Sequence, residues 1–156
     1  MQDKGGDIPM EIERKFLPKT LPENLESYPH HKIAQGYLST NPVVRIRRQD
    51  DEYILTYKGK GAMVREEYNL PLTRESFEHM VPKADGRFIQ KTRYLIPYNQ
   101  YTIELDIFHG DLAPLTLAEV EFDSEEEARS FTPPEWLGED VTFVPLYHNS
   151  YLSKMK

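Results

Sequence analysis

The stretch Met10–Phe16, with the sequence M-E-I-E-R-K-F, decides the fold class because its side chains alternate in character with a period of two. In a β-strand, one face of this stretch is charged and the other carries Ile12 and Phe16, with Arg14 beside them. The charged face consists of Glu11, Glu13 and Lys15. A strand with one strongly charged face and one apolar face is therefore predicted.

Seven further segments have the same period, which predicts eight strands in all. Short breaks such as Asn41–Pro42 and Gly59–Gly61 separate neighbouring segments and favour antiparallel hairpins. The later segments are Lys32–Ser39, Val43–Gln49, Tyr53–Gly59, Val64–Leu70, Phe88–Ile96, Tyr101–Phe108 and Thr116–Asp123.

Charged residues recur in pairs on one face of these predicted strands, mostly with like sign. For a single pair the ordinary interpretation is the solvated face of a half-buried strand. Repetition favours another interpretation, because like neighbours repel and an exposed sheet gains nothing from them. The pairs are Arg45 and Arg47, Arg65 and Glu67, Lys91 and Arg93, Glu104 and Asp106, and Glu119 and Glu121.

Closing eight strands into a barrel would point these charged faces at one another around one small ligand. Bound metal ions would then neutralise the carboxylates, and bound phosphate groups would neutralise the cations. The apolar faces would point outward and need a cover of helices. We therefore expect an α+β domain built on an eight-stranded antiparallel closed β-barrel, with a charged interior and helices packed outside.

Four short helices are predicted around these strands. Thr73 is a predicted N-cap for a helix that ends near Met80, and Ser124 with Glu127 predicts a capping box for a second. The other two are expected over Pro22–Tyr28 and from Tyr147 to the end.

The composition limits the classes of function. A chain of 156 residues fits one domain, here residues 10–156 after a flexible arm at 1–9. The net charge of −7 argues against nucleic acid or membrane partners. The absence of cysteine excludes disulfides, Cys-ligated zinc and thiol nucleophiles. With neither a signal peptide nor a membrane span in the sequence, we expect a cytoplasmic protein.

The charged residues fall into two chemical sets. Carboxylates without His or Cys partners suit Mg²⁺ or Mn²⁺ better than zinc, and Lys and Arg side chains match phosphate oxygens. The predicted metal ligands are Glu11, Glu13, Glu67, Asp106, Glu119 and Glu121. The predicted substrate-binding residues are Lys15, Arg45, Arg47, Lys58, Arg65, Lys91 and Arg93.

The run Glu11–Leu17, E-I-E-R-K-F-L, resembles the ExExK signature of the CYTH superfamily, also called the triphosphate tunnel metalloenzymes. Companion motifs follow in order and extend the resemblance over nearly the whole chain after residue 10. They are RIR at 45–47, YKGK at 57–60, REEY at 65–68, KTRY at 91–94, ELD at 104–106 and EVEF at 119–122.

The resemblance implies that residues 10–156 form a CYTH tunnel domain. It is similar to the short bacterial tripolyphosphatases, which implies metal-dependent hydrolysis of inorganic tripolyphosphate to pyrophosphate and phosphate. It further implies that Glu11 and Glu13 help hold metal and orient the attacking water, while Lys15 contacts phosphate, so these three are the predicted catalytic residues. Asn69 and His148 depart from the pattern and receive no catalytic role.

Other functions of the same tunnel stay open at this point. They are a nucleoside or thiamine triphosphatase, a class IV-type adenylyl cyclase, and a non-catalytic polyphosphate-binding module. The absence of a long basic or aromatic segment for a nucleobase favours an inorganic substrate. A complete acidic site argues against a pure binder, since binding polyphosphate requires only the cations. The sequence does not choose between a monomer and a homodimer.

Overall fold

The computed structural model describes residues 8–154, so most of the predicted arm at 1–9 lies outside the described residues. The strands are β1 (Met10–Pro18), β2 (His30–Thr40), β3 (Val43–Gln49), β4 (Glu52–Lys58), β5 (Val64–Pro71), β6 (Asp85–Tyr98), β7 (Tyr101–Phe108), β8 (Thr116–Glu121) and β9 (Leu137–Asp140). The α-helices are α1 (Arg74–Met80), α2 (Glu125–Ser130) and α3 (Asn149–Leu152). Short 3₁₀ turns cover Leu25–Ser27, Val81–Lys83, Gly110–Leu112 and Pro145–Tyr147.

The first eight strands form one antiparallel barrel. Their order around the wall is β5-β4-β3-β2-β6-β7-β8-β1, and β1 closes the ring by pairing with β5. All eight strands predicted from the period of two are present, and the closed antiparallel barrel is confirmed.

Strand β1 shares one of its edges between two partners. Its first residues, Met10–Ile12, pair with β5, whereas Phe16 and Pro18 pair with Asp140 and Leu137 of β9. The sequence analysis missed β9 because four residues, L-G-E-D, are too short to show alternation. By pairing with β1, this short strand protects an edge that β5 leaves uncovered.

The larger apolar cluster lies outside the barrel wall. Phe16 of β1 and Val120 of β8 lie on the faces opposite the charged residues and pack with Ala128 of α2. Phe131, just after α2, and Leu137 of β9 complete the cover. The prediction that apolar faces point outward is thus confirmed, although one helix, one loop residue and one strand share the cover that helices alone were expected to provide.

A second apolar cluster fills one end of the barrel interior. Leu117 lies two residues from Glu119 and therefore shares the inner face of β8. Ile89 of β6 and Phe108 of β7 pack in the same cluster, together with Leu152 of α3. The interior is consequently charged over only part of its length, and the C-terminal helix packs against its apolar end.

The helix predictions are confirmed to different degrees. Thr73 caps α1 as expected, accepting a hydrogen bond from the Ser76 amide. The predicted box at α2 is only half formed, because the Glu127 carboxylate accepts from the Asp123 amide instead of the Ser124 amide.

Two helices are shorter than expected. The one predicted over Pro22–Tyr28 is only the 3₁₀ turn at Leu25–Ser27, and the one predicted from Tyr147 is only α3 within the described residues. Between residues 8 and 154, no helix is long and apolar enough to cross a membrane.

Candidate active site

A cavity of about 330 Å³ lies inside the barrel, and all eight strands and α3 contribute side chains to its lining. The period of two places the charged residues of each strand on this inner face. Every predicted site residue except Lys91 and Asp106 lines the cavity. The sequence therefore identified most of the lining without knowledge of the strand order.

Three carboxylates form an acidic cluster in this lining. Glu13 of β1 is directly opposite Glu121 of β8 in the strand register, and Glu11 lies two residues before Glu13. One carboxylate oxygen from each of the three lies within 4.8 Å of the others. Hard divalent cations prefer such all-oxygen ligand sets, so these residues fit Mg²⁺ or Mn²⁺.

Among residues 8–154, Glu11 is the one carboxylate of the acidic cluster that has a cationic partner, Lys58. Burial, together with the charges of Glu119 and Glu11, raises the pKa of Glu13 well above its usual 4.5. Burial and neighbouring carboxylates raise the pKa of Glu121 to about 7. At Glu11, burial opposes ionisation, but the ion pair with Lys58 outweighs it and lowers the pKa. In residues 8–154 neither Glu13 nor Glu121 has an ion-pair partner, so a bound cation would satisfy both.

Three arginines in the lining have the opposite imbalance, with no carboxylate partner among residues 8–154. Arg45 donates from Nη2 to Thr56 Oγ1 at 3.0 Å, but its buried Nε has no hydrogen-bond partner. Arg47 donates from Nε to Gln35 Oε1 at 2.8 Å. Burial and the nearby Arg45 and Arg93 lower the pKa of Arg47 to about 9. Buried guanidinium groups without a counter-charge favour an anionic ligand.

Arg65, the third of these arginines, lines the cavity, and its side chain forms no ion pair or hydrogen bond in the described part of the chain. It lies on β5 directly opposite Glu11 in the register. A cation is therefore placed beside the acidic cluster, where a ligand could contact both.

The other cations in the lining are paired with carboxylates. Lys58 Nζ lies 2.9 Å from Glu11 Oε1 and 3.6 Å from Glu67 Oε2. Lys15 Nζ lies 3.2 Å from Glu119 Oε2. The hypothesis that every charge in the tunnel requires a ligand is therefore too broad. The register explains the difference, because it sets Lys15 opposite Glu119 and Lys58 opposite Glu67.

The two predicted site residues outside the cavity form a buried ion pair. Lys91 and Asp106 are each 1% exposed, and Lys91 Nζ lies 2.7 Å from Asp106 Oδ2. Arg93 donates to both oxygens of Asp106, at 2.7 and 2.9 Å. Burial lowers the pKa of Lys91 to about 7. The structure thus does not bring Asp106 into the acidic cluster, and its oxygens contact cations of the protein.

Several lining or supporting residues were missed by the sequence analysis. Gln35 and Tyr37 continue the period of two along β2, and that alternation was the available signal. Asn149 of α3 accepts a hydrogen bond from Lys91 Nζ at 3.2 Å, and no pattern in the sequence predicts this contact. Long-range contacts between a terminal helix and a strand leave no local periodicity.

The two positions that depart from the family pattern have structural partners. Asn69 lines the cavity and accepts a hydrogen bond from Thr56 at 2.6 Å. His148 lies outside the main cavity, where its Nε2 is 3.1 Å from the Thr142 carbonyl oxygen. Burial lowers the pKa of His148. Asn69 therefore extends the Arg45–Thr56 contact, while His148 anchors the segment that precedes α3.

Comparison with known proteins gives a consistent picture. A family model described as the CYTH domain matches residues 9–155. An inorganic triphosphatase from Nitrosomonas europaea is 44% identical over 149 residues, covering 92% of this chain and 96% of that protein. An inorganic triphosphatase from Acetivibrio thermocellus is 32% identical, covering 92% of this chain and 93% of that protein.

Solved structures share the architecture. A crystal structure of an inorganic triphosphatase superposes with a TM-score of 0.69 at 39% identity, covering 94% of this chain and 95% of the other. A putative adenylyl cyclase from Hippeastrum with a dominant triphosphatase activity gives a TM-score of 0.54 at 14% identity, covering 77% of this chain and 82% of that one. At that identity the second match shows the fold alone.

Proposed function

The chain belongs to the CYTH domain family, and from this membership we infer that it is a metal-dependent triphosphatase that cleaves inorganic tripolyphosphate into pyrophosphate and phosphate. One observation supports this assignment above all: in residues 8–154, three arginines without a carboxylate partner share a cavity with Glu13 and Glu121, which have no ion-pair partner. A metal ion and a polyphosphate together would supply both missing charges.

We propose that Glu11, Glu13 and Glu121 hold the metal ion, either Mg²⁺ or Mn²⁺. When bound, such an ion would neutralise the negative charge carried by phosphate oxygens during phosphoryl transfer. Ionised carboxylates can only accept hydrogen bonds, so Glu11 and Glu13 would accept them from the attacking water and orient it. Burial raises the pKa of Glu13, and a bound cation would favour its ionised form.

The proposed substrate grip comes from the cations. Arg45, Arg47 and Arg65 present guanidinium groups that match phosphate oxygens in paired hydrogen bonds. Lys15 Nζ lies between Glu119 and the Tyr147 carbonyl oxygen, 3.3 Å from the latter, and would contact phosphate from that fixed position. Phosphoryl transfer depends mainly on such positioning and charge neutralisation, so no Ser or Cys nucleophile is required.

The remaining predicted residues would act around this centre. Glu67, Asp106 and Glu119 were predicted as metal ligands, and that assignment stays a prediction; their oxygens contact Lys58, Lys91, Arg93 and Lys15 in the structure. In the proposed mechanism they hold these cations in place. Lys58 and Arg93 line the cavity and stay proposed phosphate contacts, whereas Lys91 would act from behind the lining.

The cavity favours an inorganic substrate over a nucleoside or thiamine triphosphate. Among the described residues that line it, the aromatic side chains are Tyr37, which is 2% exposed, and His31, whose Nδ1 lies 2.7 Å from Asp50 Oδ2. Stacking of an organic ring would require an accessible aromatic face. The apolar cluster at one end and Asn149 and Ser150 of α3 shorten the space further. A cyclase would need the same room for a ribose and a base.

The non-catalytic alternative explains less of the site. A protein that only binds polyphosphate needs the arginines but gains nothing from Glu13 and Glu121, whose ionisation is opposed by burial.

We propose the cytoplasm as the location, since the chain has no cysteine that would require oxidation. A monomer and a homodimer both accommodate the site, and we propose neither nucleic acid nor membrane as a partner.

Phosphate release from the purified protein tests this function. We expect rapid release from tripolyphosphate with Mg²⁺ or Mn²⁺, much slower release from ATP, thiamine triphosphate and pyrophosphate, and none with EDTA. Glu13→Gln protein prepared identically controls for contaminating phosphatases. Tight tripolyphosphate binding without turnover would replace hydrolysis with the binding function, and formation of cyclic AMP from ATP would replace it with the cyclase.

A further inference from the structure

Gln35 lies at the centre of a buried polar contact that the proposed function does not yet use. Its side chain, on β2, is 0% exposed. Arg47 Nε donates to Gln35 Oε1 at 2.8 Å, and Gln35 Nε2 donates to the Tyr37 hydroxyl oxygen at 3.1 Å. Arg47 and Tyr37 both line the cavity, whereas Gln35 lies behind them.

The direction of these hydrogen bonds follows from the chemistry of the groups. A guanidinium can only donate, so the amide oxygen of Gln35 must face Arg47. The amide nitrogen, which also only donates, must then face Tyr37. The Tyr37 hydroxyl is thereby fixed as an acceptor from Gln35, and its own hydrogen needs another partner.

No acceptor for that hydrogen is present among residues 8–154, and the Tyr37 side chain borders the cavity. The free hydrogen is therefore available to a ligand in the cavity. A phosphate oxygen is an acceptor, and the cavity also holds Arg45 and Arg47, the proposed phosphate contacts.

We propose that Gln35 is a positioning residue for the Tyr37 hydroxyl. Because Arg47 donates to the Gln35 amide oxygen, the amide nitrogen donates to Tyr37, and the Tyr37 hydroxyl in turn donates a hydrogen bond to a phosphate oxygen of the substrate. This inference rests on the proposed function, because it needs a polyphosphate in the cavity. It assigns Gln35 two simultaneous tasks: it orients the Arg47 guanidinium and it sets the polarity of the Tyr37 hydroxyl.

A carboxylate at the same position separates these tasks. In Gln35→Glu, the new side chain still accepts from Arg47, and it also accepts the Tyr37 hydrogen. The hydroxyl then turns its lone pairs toward the cavity, where they meet the oxygens of a polyanion. The variant also adds a negative charge, which weakens polyphosphate binding whatever Tyr37 does.

A double-mutant cycle distinguishes reversed polarity from added charge. Gln35→Glu is measured in the native background and in Tyr37→Phe, where no hydroxyl exists and only the charge acts. We expect kcat/KM for tripolyphosphate to fall in the native background by about tenfold more than in Tyr37→Phe, the size of one hydrogen bond to a charged group. Equal fold losses in the two backgrounds would overturn the proposal.

Matched controls keep the cycle interpretable. Gln90→Glu makes the same chemical change at an exposed position of β6 and should leave kcat and KM unchanged. If thermal unfolding shows that Gln35→Glu is not folded, Gln35→Met is measured in the same two backgrounds. It removes the donor to Tyr37 and is expected to cost more in the native background than in Tyr37→Phe. Equal costs would again overturn the proposal.

Failure of the proposed function is separable from failure of this inference. If the native protein binds tripolyphosphate but does not hydrolyse it, the cycle is read from calorimetric dissociation constants, with the same expected non-additivity. Additive effects in a protein that does hydrolyse tripolyphosphate would remove the role of Gln35 and leave the proposed function intact. If the native protein neither binds nor hydrolyses tripolyphosphate, both proposals fall.

Discussion

Glu13 and Glu121 lie directly opposite each other on β1 and β8, and no cation among residues 8–154 forms an ion pair with either. Like charges in opposite register repel, and for Glu13 burial strengthens the cost. Such an arrangement stores an electrostatic imbalance in the ligand-free protein. Binding of a divalent cation would remove this imbalance. The positive charge of the ion would favour the ionised form of both carboxylates, so the affinity for the ion depends on the cost of ionising them.

The variant Glu13→Gln tests the role of a single carboxylate of the acidic cluster. We expect loss of at least about a hundredfold in metal-dependent turnover, because one of the three cluster oxygens no longer carries charge. The same change removes like-charge repulsion, so the unfolding temperature of the metal-free variant should equal or exceed that of the native protein. The measurements are kcat with tripolyphosphate and thermal unfolding in EDTA.

Glu26→Gln is the matched control for this prediction, because Glu26 is exposed in the 3₁₀ turn at Leu25–Ser27 and does not line the cavity. It should be indistinguishable from the native protein in both measurements. Native turnover in Glu13→Gln would contradict the assignment of the acidic cluster to metal. A large loss of stability would indicate that Glu13 is structural.

At the scale of elements, α2, Phe131 and β9 act as a single cover for the outer apolar face. The Phe131 ring lies 5.1 Å from that of Phe122, 5.4 Å from Tyr101 and 6.2 Å from Phe16, measured between centroids. Arg14 binds this cover to β1 through Asp140 at 2.8 Å. The segment after β8 is therefore held by aromatic packing, by the Arg14–Asp140 ion pair and by hydrogen bonds from Arg14 Nη1 to the Ala128 and Phe131 carbonyl oxygens.

We expect Phe131→Ala to lower the free energy of unfolding by about 3–5 kcal/mol, the usual cost of removing a buried aromatic ring. Below its lowered unfolding temperature, the variant should keep the native KM for tripolyphosphate, since Phe131 does not line the cavity. Denaturant unfolding and steady-state kinetics measure the two effects. Phe143→Ala, at a side chain that is 68% exposed, is the matched control and should change neither.

Strands with a full alternation were predictable from the sequence, and those without it were not. β1 alternates over residues 11–16 apart from Arg14, and β7 alternates over residues 103–107, so both their existence and their inward faces were predicted correctly. β9 has four residues, and its pairing with β1 depends on contacts distant in sequence.

Contacts distant in sequence also limit what could be predicted inside the site. Arg45 and Lys91 look alike as residues of charged pairs. The register sets Arg45 opposite Thr56, and no carboxylate among residues 8–154 pairs with it, whereas Lys91 reaches Asp106, which lies opposite Arg93.

At the scale of the whole molecule, the acidic cluster links stability to pH. The pKa of Glu121 is raised from 4.5 to about 7 in the folded protein. Between these values the folded state keeps a proton that the unfolded chain has lost. The contribution of Glu121 to the free energy of unfolding therefore falls as the pH rises through this window. A cation that binds the carboxylates competes with this proton.

We expect the metal-free native protein to lose about 2–4 °C of unfolding temperature relative to Glu121→Gln when the pH rises from about 5.5 to 8. This is roughly the effect of 1 kcal/mol on a domain of this size, a small value because Glu121 is partly solvated. Mg²⁺ should raise the native unfolding temperature more at the higher pH. Thermal unfolding of both proteins with EDTA or Mg²⁺ measures the difference, in which titrating groups distant from Glu121 cancel. Parallel pH profiles would contradict the link.

The larger apolar cluster lies outside the barrel wall, and this position affects how the sequence can evolve. Substitutions at Arg45 or Glu121 alter the charges that a ligand meets, but neither residue belongs to the packing that holds Phe16 and Val120. Selection for a new substrate and selection for a durable scaffold thus act on largely separate residues. The molecule is robust in its outer layer and adaptable in its lining, and one barrel can pass through many specificities without losing its shape.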